Sequence, residues 1–278
     1  MRKVAMLVAL ICVSGCLAAG EGPFKVPQDP ATYVAAMKEV AAKFKGKPGV
    51  YLLMGDSITY ANQNTAFARG GQHTPEIDAF LKWSHNGERN DLDGYYLAYV
   101  DQPGNRSFTA ASGMRADQFL TEGKNGLMKL SDMIQKYNPQ MALYMLGTND
   151  ISGGRPVAQF IADVEKSMDL LMANGTVPIL STLPHYKGKT AQVEEYCKAL
   201  RELAAKKKLP LVDLYGEMKA RAGDNLDGYV QGDGIHLSFA TAGGPATEDN
   251  LKKDGYLLRC YTTLYKGLEV KTKVFDGK

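Results

Sequence analysis

Four short, largely apolar runs, Val50 to Met54, Met141 to Leu146, Val177 to Thr182 and Leu209 to Leu214, and a less apolar stretch from Ser107 to Ala111 that can be a short strand, recur along the chain with helix-compatible sequence between them. Runs that are aliphatic on both faces, rather than alternating apolar and polar, belong to sheets covered on both sides. The intervening segments are long enough for helical crossovers, which makes the strands parallel. The expected fold is therefore α/β: three layers, α/β/α, with a flavodoxin-like parallel sheet of about five strands and helices on both faces.

The helices follow from spacing and punctuation. Asp29-Pro30 opens a helix over Ala31 to Phe44, with Pro at its first position. Sequence beyond Ser57 can continue as a helix to about Ala68, and Pro75 to Trp83 suits a short one. Further helices are expected over Ala116 to Tyr137 with a break at Gly123, from Pro156 to Ala173, over Thr190 to Lys207, and from Leu251 to about Val270. Between residues 69 and 106 the periodicity weakens and polar and aromatic residues gather, including His73, Trp83, His85, Asp91, Asp93, Tyr95 and Tyr96. That insert is longer than the usual connection in an alternating unit, so it reads as a lid or binding wall in contact with substrate, the alternative being a solvated excursion that merely connects two elements.

At the amino end, Arg2 and Lys3 precede an apolar run from Val4 to Val13 and then small residues, the pattern of an export signal over residues 1–20. The remaining 21–278 reads as one domain, without internal repeat or linker. Val13-Ser14-Gly15-Cys16 resembles the lipobox of bacterial lipoproteins, which would attach the chain to a membrane through a lipidated Cys16; cleavage near Ala18-Ala19-Gly20 would release it instead. Either outcome is extracytoplasmic. Cys12 and Cys16 lie in the leader, leaving Cys197 and Cys260, too few and too far apart for a disulfide framework or metal spacing, and both are expected as free buried thiols. The 33 Lys and Arg against 30 Asp and Glu become 31 against 30 once Arg2 and Lys3 are removed, a balance that gives no reason to expect a nucleic-acid partner. No cofactor or metal is expected, and oligomeric state is not legible.

Three of these expected strands end in small or polar residues: Gly55-Asp56-Ser57, Ser112-Gly113 and Gly147-Thr148-Asn149-Asp150. In a parallel sheet the carboxyl ends of the strands share one rim, which is where ligands bind. The first of these reads either as a strand delivering a serine or as a plain helix cap by Asp56 or Ser57. Gly232-Asp233-Gly234-Ile235-His236 follows the last run in a glycine-rich loop. Asp and His three apart can set the carboxylate against imidazole Nδ1 and leave Nε2 for a serine.

In order, these blocks resemble those of the SGNH, or GDSL-type, hydrolase family over nearly all the chain after the leader. The resemblance implies Ser57 as nucleophile, His236 as general base and then acid, Asp233 as its orienter, and an oxyanion hole from the Ser57 and Gly113 backbone N–H groups and the Asn149 side-chain amide. Two departures bear on subfamily and substrate: Phe108-Thr109-Ala110-Ala111 precedes Ser112 where many members carry Asn and a further Gly, and Leu237 stands where Pro often follows the His. Asp56 is expected to order the nucleophile turn and Asp150 to cap a helix or organise a loop.

The function expected is a secreted or lipid-anchored serine esterase acting on an acyl ester, an acetyl group on a carbohydrate above others, with a small-molecule or glycan ester as partner. A short-chain carboxylesterase or lysophospholipase of the same family is the near alternative, and a non-catalytic glycan-binding protein on this fold the more distant one. No GxGxxG or GxxxxGK[ST] fingerprint follows the first strand, which ranks a phosphate-binding flavodoxin-like protein last.

Overall fold

The computed structural model describes residues 23–70, 72–85 and 94–277. The expected leader, with Cys12 and Cys16, and the Asp91-Leu92-Asp93 part of the insert lie outside the described residues. Four strands, β1 (Tyr51–Gly55), β2 (Met141–Met145), β3 (Val177–Ser181) and β4 (Leu211–Val212), form one sheet in the order β1-β2-β3-β4. All three pairings are parallel, with Tyr51 opposite Met141 and Met141 opposite Val177. Every residue of β1, β2 and β3 is buried, which is why these strands read as unbroken aliphatic runs.

The helices are α1 (Val34–Ala41), α2 (Ser57–Tyr60), α3 (Ala66–Gly70), α4 (Pro75–Trp83), α5 (Ala116–Thr121), α6 (Leu130–Tyr137), α7 (Thr148–Ser152), α8 (Val157–Ala173), α9 (Thr190–Lys207), α10 (Leu214–Ala222), α11 (Glu248–Leu251) and α12 (Gly255–Val270). Helices α5, α6, α8 and α9 pack against one another as one layer, while α12 gathers α3, α4 and α10 in the other. The three-layer α/β/α architecture is thus present. Cys197 in α9 and Cys260 in α12 are free and buried, and burial raises the Cys197 thiol to about 12.

Two expectations are corrected near the rim. The run Ser107 to Ala111 makes no ladder; it meets β1 through a single parallel bridge from Ala110 to Gly55 and a side-chain bond from Thr109 Oγ1 to Leu53 O at 2.6 Å, at the edge where a fifth strand would pair. A local turn wins there, because Ser107 Oγ accepts from Thr109 N at 3.2 Å and Ala110 N at 3.0 Å while Ala110 O accepts from Ser107 N at 2.8 Å. The helix expected from Ser57 to Ala68 is broken into α2, a 3₁₀ turn over Asn62–Thr65, and α3. Asn64 turns its side chain back to donate to Thr59 O at 3.1 Å, and the buried Arg259 guanidinium holds both Asn64 and Thr59. Tertiary partners therefore override helix continuity. The break expected at Gly123 in the Ala116 to Tyr137 stretch is present, with residues 122–129 outside both α5 and α6.

The insert contributes α4 at its expected position. Tyr95 and Tyr96 are core residues, at 0% and 1% exposure, so the aromatic density of this stretch serves packing first. Tyr95 sits 5.7 Å from the Tyr51 ring of β1. Tyr99 keeps part of its surface at the rim.

Candidate active site

Strand β1 ends where it must turn sharply beside β2. A Cβ on Gly55 would lie 2.6 Å from Met145 O and 2.2 Å from Thr59 Oγ1, so only glycine fits. Asp56 follows in extended conformation as the N-cap of α2, its carboxylate accepting from Ile58 N at 3.0 Å. Ser57 is then the first helical residue and is half-exposed at the rim. Both readings of this turn hold at once: Asp56 caps, and Ser57 is presented.

The structure brings the distant loop to it. His236 Nε2 lies 3.0 Å from Ser57 Oγ, and His236 Nδ1 lies 2.6 Å from Asp233 Oδ2. Asp233 Oδ1 also accepts from Ile235 N at 2.9 Å and His236 N at 3.0 Å, so one carboxylate orders the backbone and the ring together. Burial raises the Asp233 pKa, but the hydrogen bonds from His236 and from the two backbone N–H groups outweigh it and hold the carboxyl below its ordinary value. The loop is braced from the β3–α9 connection, where Lys187 N donates to Gly234 O at 2.8 Å. Asp227 joins that brace, meeting Lys187 Nζ at 2.7 Å and the buried His185 Nε2 at 3.1 Å.

Gly113 follows closely on Ala111, whose N–H donates to Gly55 O at 3.2 Å, which sets the second block beside the nucleophile turn. Its φ of +75° suits glycine and turns the backbone without a side chain in the way. Asn149 arrives from α7. Its side-chain nitrogen donates to Asp56 Oδ2 at 3.1 Å and to Met114 O at 3.2 Å. The predicted third oxyanion donor is therefore at the site but engaged, and serving a substrate oxygen means exchanging one of these acceptors for it. Asp150, as expected, organises the neighbouring loop: its carboxylate accepts from Ala116 N at 3.2 Å at the start of α5 and pairs with Arg155.

Two charged groups lie buried beneath the site: Arg259, which the sequence does not single out, and Asp56, expected to order this turn. Arg259 of α12, 1% exposed, donates to the Asn64 side-chain carbonyl and, at 2.8 Å, to Thr59 Oγ1. Asp56 is wholly buried; burial lifts it to about 6, against the opposing pull of the Ile58 N–H and Arg259. Because this folded value lies above the ordinary 3.8, the fold favours the protonated acid. The group's contribution to stability is full below about pH 4 and is lost as pH rises through about 6, roughly 3 kcal/mol in all. Relative to wild type, Asp56→Asn is expected to gain about 2 kcal/mol between pH 4 and pH 7 in urea unfolding. A difference that stays flat across that window would show that Asp56 titrates normally.

Among the described residues no three or more His, Cys, Asp or Glu side chains are arranged to hold a metal ion. The arrangement on hand is a serine hydroxyl, an imidazole oriented by a carboxylate, and amide donors around the same turn. Such a constellation can take a proton from the serine and stabilise negative charge beside it.

The model of the GDSL-like lipase/acylhydrolase family matches residues 53–241, which include Ser57, Gly113, Asn149, Asp233 and His236. Several solved structures share the fold. A GDSL-like lipase from Bacteroides thetaiotaomicron is 18% identical, with a TM-score of 0.50 over 87% of this chain and 98% of that one. A carbohydrate esterase of family 3 from Talaromyces cellulolyticus is 18% identical, with a TM-score of 0.53 over 80% and 98%. An acetyl esterase mutant with an acetate ion is 16% identical, with a TM-score of 0.53 over 83% and 100%. No curated protein matches the chain.

Proposed function

The chain belongs to the GDSL-like lipase/acylhydrolase family, and on that premise we propose that it is a serine ester hydrolase. The observation that carries this reading is the unbroken line from Asp233 through His236 to Ser57, with contacts of 2.6 and 3.0 Å. Ser57 Oγ attacks the ester carbonyl while His236 Nε2 takes its proton, and Asp233 holds the ring and the imidazolium that forms. The tetrahedral oxygen is met by the Ser57 and Gly113 N–H groups and by Asn149. His236 then protonates the leaving alcohol, and water repeats the sequence on the acyl-enzyme.

The ester we favour is a short acyl group, acetyl above others, on a carbohydrate. Support comes from the export pattern over residues 1–20 and from Tyr99 and Asp101, a part of the insert that keeps exposed surface. The similarity in fold to a carbohydrate esterase and to an acetyl esterase agrees with it. The same leader places the enzyme outside the cytoplasm, either free or anchored through Cys16. A fluorophosphonate probe tests nucleophile and base together. Stoichiometric labelling is expected on the peptide containing Ser57, with labelling of His236→Ala slowed by about 10³-fold or more; a label on another residue, or none, overturns the assignment.

A further inference from the structure

Helix α2 runs from the nucleophile into one wall of a cleft of about 620 Å³. Tyr60, Asn62, Tyr99 and Asp101 line it, so one wall comes from the turn after the nucleophile and the other from the last part of the insert. Tyr60 is three residues beyond Ser57, and side chains so spaced on a helix share a face, with Cβ atoms about 5–6 Å apart. The Ala61 N–H to Ser57 O bond of 2.9 Å closes that turn. Ser57 is therefore one helical turn from a residue that lines the cleft, without lining it itself.

The walls are tied together. The Tyr60 hydroxyl donates to the Asp101 carboxylate across 41 residues of chain. Arg69 donates to Asn62 O at 3.0 Å and to the Asn62 side-chain carbonyl, and its guanidinium lies 4.4 Å from the centre of the Tyr99 ring. Engaging the carbonyl end of Asn62 turns its amide nitrogen toward other acceptors.

We propose that this cleft holds the alcohol part of the ester, and that this part is a sugar residue. The proposal rests on Ser57 being the nucleophile. Tyrosine rings offer apolar faces to the C–H bonds of a sugar ring, while a carboxylate and an amide exchange hydrogen bonds with its hydroxyls. A long acyl chain would desolvate Asp101 and Asn62 and return nothing to them. A quaternary ammonium would suit tyrosines and a carboxylate, but Arg69 already lies over Tyr99 and sets a fixed positive charge there.

The test compares an acetylated xylo-oligosaccharide mixture, ethyl acetate and acetylcholine as substrates of the wild type, Asp101→Ala, Asp101→Asn and Tyr99→Ala. Ethanol carries neither a ring to lie on Tyr99 nor further hydroxyls for Asp101 and Asn62, so its ester reports the chemistry without the subsite. The ratio of kcat/KM on the glycan ester to that on ethyl acetate is expected to fall about tenfold or more in Asp101→Ala and Tyr99→Ala, mainly through KM. Asp101→Asn, which keeps an acceptor, recovers part of it. Proportional losses on both substrates, no loss on either, or a selective loss on acetylcholine overturns the subsite. Calorimetric titration with the deacetylated oligosaccharide separates this from failure of the catalytic reading. If the wild type hydrolyses no ester, the serine mechanism falls, while glycan binding that Asp101→Ala abolishes still upholds the subsite and absence of binding removes it.

Discussion

Ser57→Ala is expected to lower kcat on p-nitrophenyl acetate by about 10⁴-fold or more, because no other group can take over the covalent step. The substitution leaves the local fold in place. The N-cap bond of 3.0 Å from Ile58 N goes to Asp56, and the 2.9 Å bond that closes the turn goes to the Ser57 carbonyl, so neither needs the hydroxyl. Alanine also suits the first turn of a helix, and the change in stability should stay within about 0.5 kcal/mol. Ser57→Ala/His236→Ala is expected to be no slower than Ser57→Ala alone, since the two residues act as one unit. Retention of activity within tenfold of wild type would remove Ser57 from the mechanism.

Arg259→Ala is expected to have the largest effect on stability, a loss of about 3–5 kcal/mol in guanidinium or urea unfolding. The side chain reaches about 200 residues back along the chain to Thr59 and Asn64 and fills space between α12 and the nucleophile turn. Its partners are neutral oxygens and the Met145 sulfur at 3.4 Å. Removing it leaves a cavity, an unmet Asn64 carbonyl, and Asp56 without the positive charge that opposes its burial. Arg259→Met restores most of the volume but no donor, and should recover part of the stability while kcat stays depressed. If Arg259→Ala costs less than about 1 kcal/mol, the guanidinium is not what holds the turn.

Both residues bear on what a reader of the chain could foresee. Ser57 could be suspected because a buried strand that stops at Gly-Asp-Ser is a local pattern. Asp233 and His236 could be paired because a spacing of three brings a carboxylate to Nδ1 on almost any tight turn, and here Asp233 also binds the intervening backbone. Arg259 offered no such signal. An arginine within an apolar helical pattern reads as a surface residue, and its burial depends on two partners on the far side of the sequence. Asn149 was assigned as an oxyanion donor, and the structure adds that its amide is held by Asp56 and Met114.

Strand and helix order, the parallel sheet and the four blocks at its rim were determined by the sequence alone, because apolar runs, caps and turn residues act over a few positions. Only the tertiary structure decided that Ser107 to Ala111 would spend its hydrogen bonds on a local turn, and that the helix after Ser57 would break around Arg259. It alone assembled the walls of the Tyr60–Asp101 cleft. Those outcomes turn on desolvation and on competition for hydrogen bonds between segments far apart in the chain, and neither is set until the segments meet.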